Sequence, residues 1–274
     1  ELAELIIWDG TLSDTDRDLV EGYLEDKYDL LPLTRENLDL SKSTEKQILS
    51  FLADNVGKDD VIINASGLIK QRSVDPVDMI KVNSIFPQIL AKFKELIGCE
   101  VIHITTDCVF NGSKGCYVES DPHDCYDVYG RSKSLGENNN NTNIRTSIIG
   151  EEVSNKFSLL EWVFSMEDQT IQGFQNHIWN GVTCLELAKL IHKIIEGDIF
   201  WSGTRHVFSP NSVSKSSLIE RVIEVYGLNI SVERVGSQND CFRGLSSSDA
   251  PLIQKDICEQ LVEMRDFNLK ERVV

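Results

Sequence analysis

The chain has 274 residues, with 27 basic against 44 acidic side chains and a net charge of −17. That balance excludes the clustered Lys and Arg of a nucleic-acid or anionic-membrane surface, yet leaves room for a locally positive pocket. Seven cysteines without a C-x-x-C pair read as reduced thiols and not as disulfides or a zinc site, so no metal is expected.

Neither a charged-then-apolar leader nor an apolar run of about 18 residues is found, so the expectation is a cytoplasmic protein built as one large α/β unit with a smaller lobe. Through the first half, short apolar runs alternate with amphipathic segments. Residues 5–8 and 29–33 read as strands around a helix over 14–24. A helix over 44–55, a buried run at 61–64, a long helix over 77–97, a strand at 101–104, a helix from 132 onward and a strand at 144–148 continue the series. This alternation predicts right-handed βαβ units and a parallel sheet covered on both faces, a doubly wound Rossmann-type α/β fold with ligands at the carboxyl ends of the strands.

Beyond about residue 150 the alternation becomes irregular, which predicts a smaller mixed α/β lobe for substrate. Thr183-Cys184-Leu185-Glu186 spells a capping box opening a helix to 195, with Gly197 just past its end. Ser214 opens another helix, which Gly227 stops, and short strands are expected near 205–208 and 230–235. The expected organisation is a dinucleotide-binding domain over 1–150 and a substrate-binding lobe over 151–274, interleaved with the first. The asparagine tract at 138–141 reads as a polar loop.

In such a fold the turn after the first strand carries glycines, which let the backbone approach a pyrophosphate at a helix N-terminus. Here the turn reads Asp9-Gly10-Thr11-Leu12-Ser13-Asp14-Thr15-Asp16, with only Gly10 in place and Ser13 and Asp16 where further glycines are expected. It fits either a phosphate turn or a helix start capped by Ser13 or Asp14. Arg35, at the end of the second strand, is either a ligand for the 2′-phosphate of NADP or a solvated surface residue. Asn64-Ala65-Ser66-Gly67 follows the third run, where small residues allow close approach of a ligand. Asn83 falls mid-helix, where its propensity is poor; it either bonds a neighbouring loop or organises the helix. Thr105-Thr106-Asp107 closes the next strand, its hydroxyls either placed to polarise a substrate carbonyl or simply β-branched strand residues.

Tyr129 and Lys133 then stand four residues apart in Tyr129-Gly130-Arg131-Ser132-Lys133. On one helix face this spacing puts a phenol beside an ammonium, and the cation is expected to lower the phenol's pKa toward the working range of a general acid. Tyr23 and Lys27 share the spacing, so position in the chain must choose between the pairs.

In this order, Asn64-Ala65-Ser66-Gly67, Val82-Asn83, Thr105-Thr106-Asp107-Cys108-Val109-Phe110-Asn111-Gly112, Tyr117-x-Glu119-x-Asp121, Tyr129-Gly130-Arg131-Ser132-Lys133 with Gly136-Glu137, and Ile144-Arg145-Thr146-Ser147 resemble the extended short-chain dehydrogenase/reductase family. The likeness is closest to its dTDP-4-dehydrorhamnose reductase-like branch and covers roughly residues 5–260. It implies reduction of a nucleotide-linked 4-keto-6-deoxysugar, with NADP(H) favoured over NAD(H) and no metal. It also selects Tyr129 over Tyr23. Tyr129 would protonate the developing alkoxide, Lys133 would hold the nicotinamide ribose, and Thr106 would hydrogen-bond the carbonyl. Gly10, Arg35 and the Asn64, Ala65, Ser66, Gly67 stretch would line the cofactor; Thr105, Asp107 and Arg243 would meet the nucleotide-sugar substrate. The resemblance leaves room for a homodimer. Two departures stand out: the glycine turn, and Ile148 where many members of the branch have a Trp, for which His177 and Trp179 are candidate replacements. The alternatives are a catalytically silent binding or regulatory subunit, motivated by Ser13 and Asp16, and a nucleotide-sugar epimerase or dehydratase.

Overall fold

The computed structural model describes residues 31–69, 74–152 and 158–271, without the side chains of the last three. The expected first strand and helix, the turn with Gly10, and the pair Tyr23 and Lys27 lie outside the described residues. Of the strand expected at 29–33, the described residues 31–33 belong to no strand, and Leu31 and Leu33 are exposed.

Helix α1 (Glu45–Asn55) begins at Thr44, whose hydroxyl accepts the Gln47 amide while Gln47 reaches back to the Thr44 backbone. After β1 (Val61–Asn64), the long helix expected over 77–97 divides into α2 (Pro76–Ile80), a π-helical turn (Lys81–Ile85) and α3 (Phe86–Ile97). The widening has a local cause. Pro87 has no amide proton to offer the Asn83 carbonyl, and the Phe86 N–H reaches back five residues to the Lys81 carbonyl. Strand β2 (Glu100–Thr106) is followed by a short 3₁₀ turn (Asp107–Val109), and α4 (Val128–Gly136) is capped by Asp127, which accepts the Gly130 amide at 2.9 Å. This helix starts four residues earlier than the sequence pattern indicates, so Tyr129 and Lys133 share it.

Next come β3 (Thr142–Thr146), β4 (Ile148–Ile149), α5 (Leu159–Phe164), β5 (Thr170–Phe174), β6 (His177–Trp179), β7 (Val182–Thr183) and α6 (Cys184–Glu196). They lead into β8 (Gly203–His206), β9 (Val213–Ser214), α7 (Lys215–Tyr226), β10 (Ser231–Val235), β11 (Cys241–Phe242) and α8 (Ile257–Glu271). Thr183 and Ser214 cap α6 and α7 as expected, and Gly227 ends α7 in the left-handed region at φ +67°.

The central sheet is parallel, in the order β1-β2-β3-β8. Ile102, Ile104 and Ile144 pack on Leu187, Leu190 and Ile191 of α6, whereas Val101 and Cys99 pack on Phe86, Leu90 and Phe93 of α3. Helices therefore cover both faces, the arrangement of a doubly wound Rossmann-type fold. The strand expected near 205–208 is β8, and it belongs to this sheet and not to the second lobe. Its residues continue the ladder from β3, with Thr142 paired to Gly203 and Arg145 to His206. The second lobe has its own core of Leu160, Val163, Leu218, Val222, Ile257 and Leu261. It carries the pairs β5 with β10 and β4 with β7, and a small sheet ordered β11-β6-β9. Among the described residues no helix is long and apolar enough to cross a membrane, and no group of His, Cys, Asp or Glu is arranged to hold a metal.

Helix α4 sits on the π-helical turn through glycine: a Cβ on Gly136 would lie 2.1 Å from the Asn83 carbonyl oxygen. Gly136→Ala is expected to destabilise the protein by about 1–3 kcal/mol, read as a lower urea midpoint with an unchanged m-value.

Candidate active site

Strand β2 delivers Thr106 to the carboxyl edge of the sheet, where its side chain caps the 3₁₀ turn by accepting the Cys108 amide at 3.2 Å. The Thr106 hydroxyl donates to Asp107 Oδ1 at 3.2 Å and lies within hydrogen-bonding reach of the Tyr129 phenol. Asp107 is buried, and the Cys108 and Ser147 side chains and the Arg243 guanidinium of the second lobe all favour its charged form. Arg243 donates from Nε to the Phe110 carbonyl at 3.0 Å and from Nη1 toward the Cys108 sulfur at 3.5 Å.

Tyr129 packs its ring against Leu68, Met79 and Val82. One turn further along α4, the buried Lys133 donates from Nζ to the Ile104 carbonyl at 2.8 Å. The structure thus brings Thr106, Asp107, Tyr129 and Arg243 together, with Lys133 beneath them.

Burial dominates the ionisation of this group. Lys133 is brought down to about 8 by desolvation, with the Glu137 carboxylate opposing. Tyr129 is pushed above its ordinary value by desolvation and by Cys108 and Asp107, against the Thr106 hydrogen bond. This corrects the expectation that Lys133 lowers the Tyr129 pKa: the ammonium is engaged with the Ile104 carbonyl, and desolvation of the phenol prevails. The phenol therefore holds its proton at neutral pH. Burial likewise raises Asp107, with Arg243 and the hydrogen-bond donors opposing, and raises the Cys108 thiol to about 12.

Beside Lys133 runs the loop after β1. Asn64 accepts the Ser66 amide (3.1 Å) and hydroxyl (2.6 Å) and donates to His103 Nδ1 at 3.0 Å. That leaves the His103 proton on Nε2, which is buried without a partner among the described residues. Ala65 rests on the sheet core. At Gly67 an added Cβ would stand 3.8 Å from Lys133 Nζ and 3.7 Å from Asn83 Oδ1. The bare backbone here therefore runs within ordinary contact distance of the ammonium. Asn83 resolves its two readings toward a clamp: it accepts the Leu68 amide (2.8 Å) and donates to the Leu68 carbonyl (2.9 Å) and the Ser132 hydroxyl (3.1 Å). It thereby ties this loop to α4.

Two expected site residues stand apart. Arg35 is exposed in a turn and meets none of these groups among the described residues. Thr105, expected to meet substrate, donates instead to Glu137 Oε1 at 3.0 Å, because alternate strand residues face opposite ways. It joins a cluster that sequence reading passed over. Arg145, almost fully buried, pairs with Glu137 and donates to His206 Nε2 (2.8 Å) and His123 Nε2 (2.6 Å). Arginine has no acceptor, so both imidazoles are neutral, with their protons on Nδ1 facing the Ser246 carbonyl and the Ser134 hydroxyl. Ser147 and Cys108 were also passed over, although both lie inside the motifs; only the fold aims them at Asp107.

Residues 6–239 match the family model described as the RmlD substrate binding domain. A dTDP-4-dehydrorhamnose reductase of Sinorhizobium fredii is 34% identical over 137 residues, 47% of this chain and 45% of that protein. The spore coat polysaccharide biosynthesis protein SpsK of Bacillus subtilis is 26% identical over 191 residues, 65% of each. The chain therefore spans less than two thirds of the length of these curated relatives. Among solved structures, a dTDP-4-dehydrorhamnose reductase from Clostridium acetobutylicum superposes with TM-score 0.74 at 19% identity, over 91% of this chain and 94% of that one. One from Bacillus anthracis, in complex with NADP, gives 0.73 at 20% identity over the same shares. At such identities the likeness is one of fold, here the Rossmann-type fold already traced. The family model spans both the sheet and most of the second lobe, and the chain belongs to the RmlD substrate-binding domain family.

Proposed function

We propose that this protein is an NADP(H)-dependent reductase of a nucleotide-linked 4-keto-6-deoxysugar. The observation that carries the reading is the convergence of Thr106 and Tyr129 at the end of β2, with Lys133 one turn below the phenol. When bound, the nicotinamide supplies the hydride that reduces the sugar carbonyl. Lys133 and Gly67 would hold the ribose, Asn64, Ala65 and Ser66 would shape that wall, and Gly10 would lie in the phosphate turn that its sequence suggests. Tyr129, protonated at neutral pH, gives its proton to the carbonyl oxygen as that oxygen gains negative charge. Thr106 donates a hydrogen bond to the same oxygen, and the buried Lys133 cation steadies the phenolate left behind. Asp107 meets the sugar, and Arg243 is a cation that acts on Asp107 from the second lobe. In this reading the central sheet carries the cofactor and the rest of 151–274 carries the substrate.

The test is consumption of NADPH with dTDP- or UDP-linked 4-keto-6-deoxyglucose; a protein that leaves NADPH unconsumed with both overturns the reading, and tight NADPH binding without turnover points to a silent binding subunit. Tyr129→Phe is expected to lower kcat by about 10²–10⁴ while NADPH affinity is retained. The alkaline limb of kcat/KM belongs to Lys133. A lysine brought down to about 8 loses its charge as pH rises through that value, so the rate falls above it, and Lys133→Arg is expected to move that limb upward. Arg35→Ala is expected to weaken NADPH by about 10-fold or more and NADH little, because a charge-assisted hydrogen bond to phosphate contributes about 1.5–3 kcal/mol; equal weakening of both would remove Arg35 from the cofactor site.

A further inference from the structure

We infer that His103 is a positioning residue for the loop after β1: its neutral ring holds the Asn64 amide in the one orientation that binds Ser66, and so sets the backbone at Gly67 against Lys133. The inference rests on the reductase reading above. In the parallel register of β1 and β2, Asn64 and His103 stand side by side, and both are buried. The Ser66 backbone amide can only donate, and it reaches Asn64 Oδ1 at 3.1 Å, where the Ser66 hydroxyl also arrives at 2.6 Å. This turns the Asn64 NH₂ group toward His103, 3.0 Å from Nδ1. An NH₂ group is a donor only, so Nδ1 must accept, and the ring carries its one proton on Nε2.

No second arrangement satisfies the same atoms. With a proton on Nδ1, two donors would face each other, and turning the Asn64 amide to relieve them would set its NH₂ against the Ser66 N–H. A cationic ring fails for the same reason. Burial keeps the ring neutral, together with the charge of the Lys133 ammonium, which acts on it from α4.

Consecutive residues of β2 thereby serve both sides of the proposed ribose site. The Ile104 carbonyl holds Lys133 Nζ at 2.8 Å, and the His103 ring, through Asn64, holds the loop. At the far end of that loop the Asn83 amide binds both backbone groups of Leu68, at 2.8 and 2.9 Å. Gly67 is thus suspended between two amide side chains, and a Cβ on it would lie 3.8 Å from Lys133 Nζ. Behind Asn83 stands the Ser132 hydroxyl, at 3.1 Å; behind Asn64 stands His103. An apolar residue at 103 would pack in the interior, but it would leave the Asn64 NH₂ without this acceptor and release the Ser66 end of the loop.

A spectroscopic readout and a binding readout test this together. In the ¹⁵N-labelled full chain, the His103 ring, identified by its loss in His103→Asn, is expected to carry a proton on Nε2 and none on Nδ1 from about pH 5.5 to about pH 9. A ring protonated on Nδ1, or one that becomes cationic within that range, overturns the inference. In NADPH titrations, His103→Leu is expected to weaken binding about tenfold, as loss of one hydrogen bond predicts. The Ser66 amide resonance is expected to move in that variant, while that of Leu68, held by Asn83, stays in place. His103→Asn, whose side-chain oxygen can accept where Nδ1 does, is expected to restore most of the affinity. In an Asn64→Ala background, His103→Leu is expected to cost less than about twofold, since residues acting through one another are not additive. Unchanged NADPH affinity in His103→Leu, no recovery in His103→Asn, or fully additive losses each count against His103 as the positioning group. Failure of the parent protein to bind NADPH would instead sink the reductase reading, and the ring tautomer with the Ser66 amide shift would still decide the hydrogen-bond chain.

Discussion

The site depends on how closely helix α4 lies on backbone at both of its ends. At the N-terminal end, a Cβ on Gly130 would stand 2.2 Å from the Cys108 carbonyl oxygen; at the C-terminal end, one on Gly136 would stand 2.1 Å from the Asn83 carbonyl oxygen. Side chains at either position would lift the helix off the sheet edge. Lys133 lies between these two contacts, and its depth is what allows Nζ to reach the Ile104 carbonyl. Tyr129 is brought against Thr106 by the same approach. The π-helical turn completes the seat: it turns Asn83 toward both the loop after β1 and Ser132 of α4, and Ser84 donates to the Ser132 carbonyl at 2.7 Å. A widened helix at this point is a common device where function requires a side chain to be re-aimed.

Beneath that contact, a buried charge is kept satisfied. Arg145 sits in the central sheet with almost no exposure, a position tolerable only if its donors are paired. Glu137 supplies the opposite charge, and Thr105 and Thr204 donate to the two Glu137 oxygens. His123 and His206 accept as neutral imidazoles, kept below their ordinary pKa chiefly by burial. Phe110 covers the guanidinium at 5.2 Å and stacks on Tyr117. The cluster ties the end of α4 to β3 and β8. It is also linked to the Tyr117 loop and the 245–247 segment, since Glu119 accepts the His206 amide and the Ser247 hydroxyl.

The two halves of the chain meet at Asp107. The sheet contributes Thr106 and the carboxylate itself; the second lobe contributes Arg243. Burial raises its pKa, and the Arg243 guanidinium and the neighbouring hydrogen-bond donors oppose that rise. Low dielectric around it also makes each partner matter more than it would at a surface.

Much of this was legible in the sequence. Apolar runs alternating with amphipathic segments determined the parallel, doubly wound sheet, because a strand buried on both faces must be apolar along its length. Thr183 and Ser214 marked helix starts through capping chemistry that is local to a few residues. The order of Thr106, Tyr129 and Lys133 relative to the strands singled out the pair proposed to react, since in this fold the carboxyl ends of the strands converge on the ligand side. What tertiary structure alone decided was long-range. Strand β8 joined the central sheet because its partner β3 lies about sixty residues away in sequence, which no local pattern reports. Thr105 turned to Glu137 and Thr106 to Tyr129 because the register of β2 alternates its side chains between faces. Burial, which belongs to the folded state only, raised Tyr129 and lowered Lys133 against the order that their spacing implied.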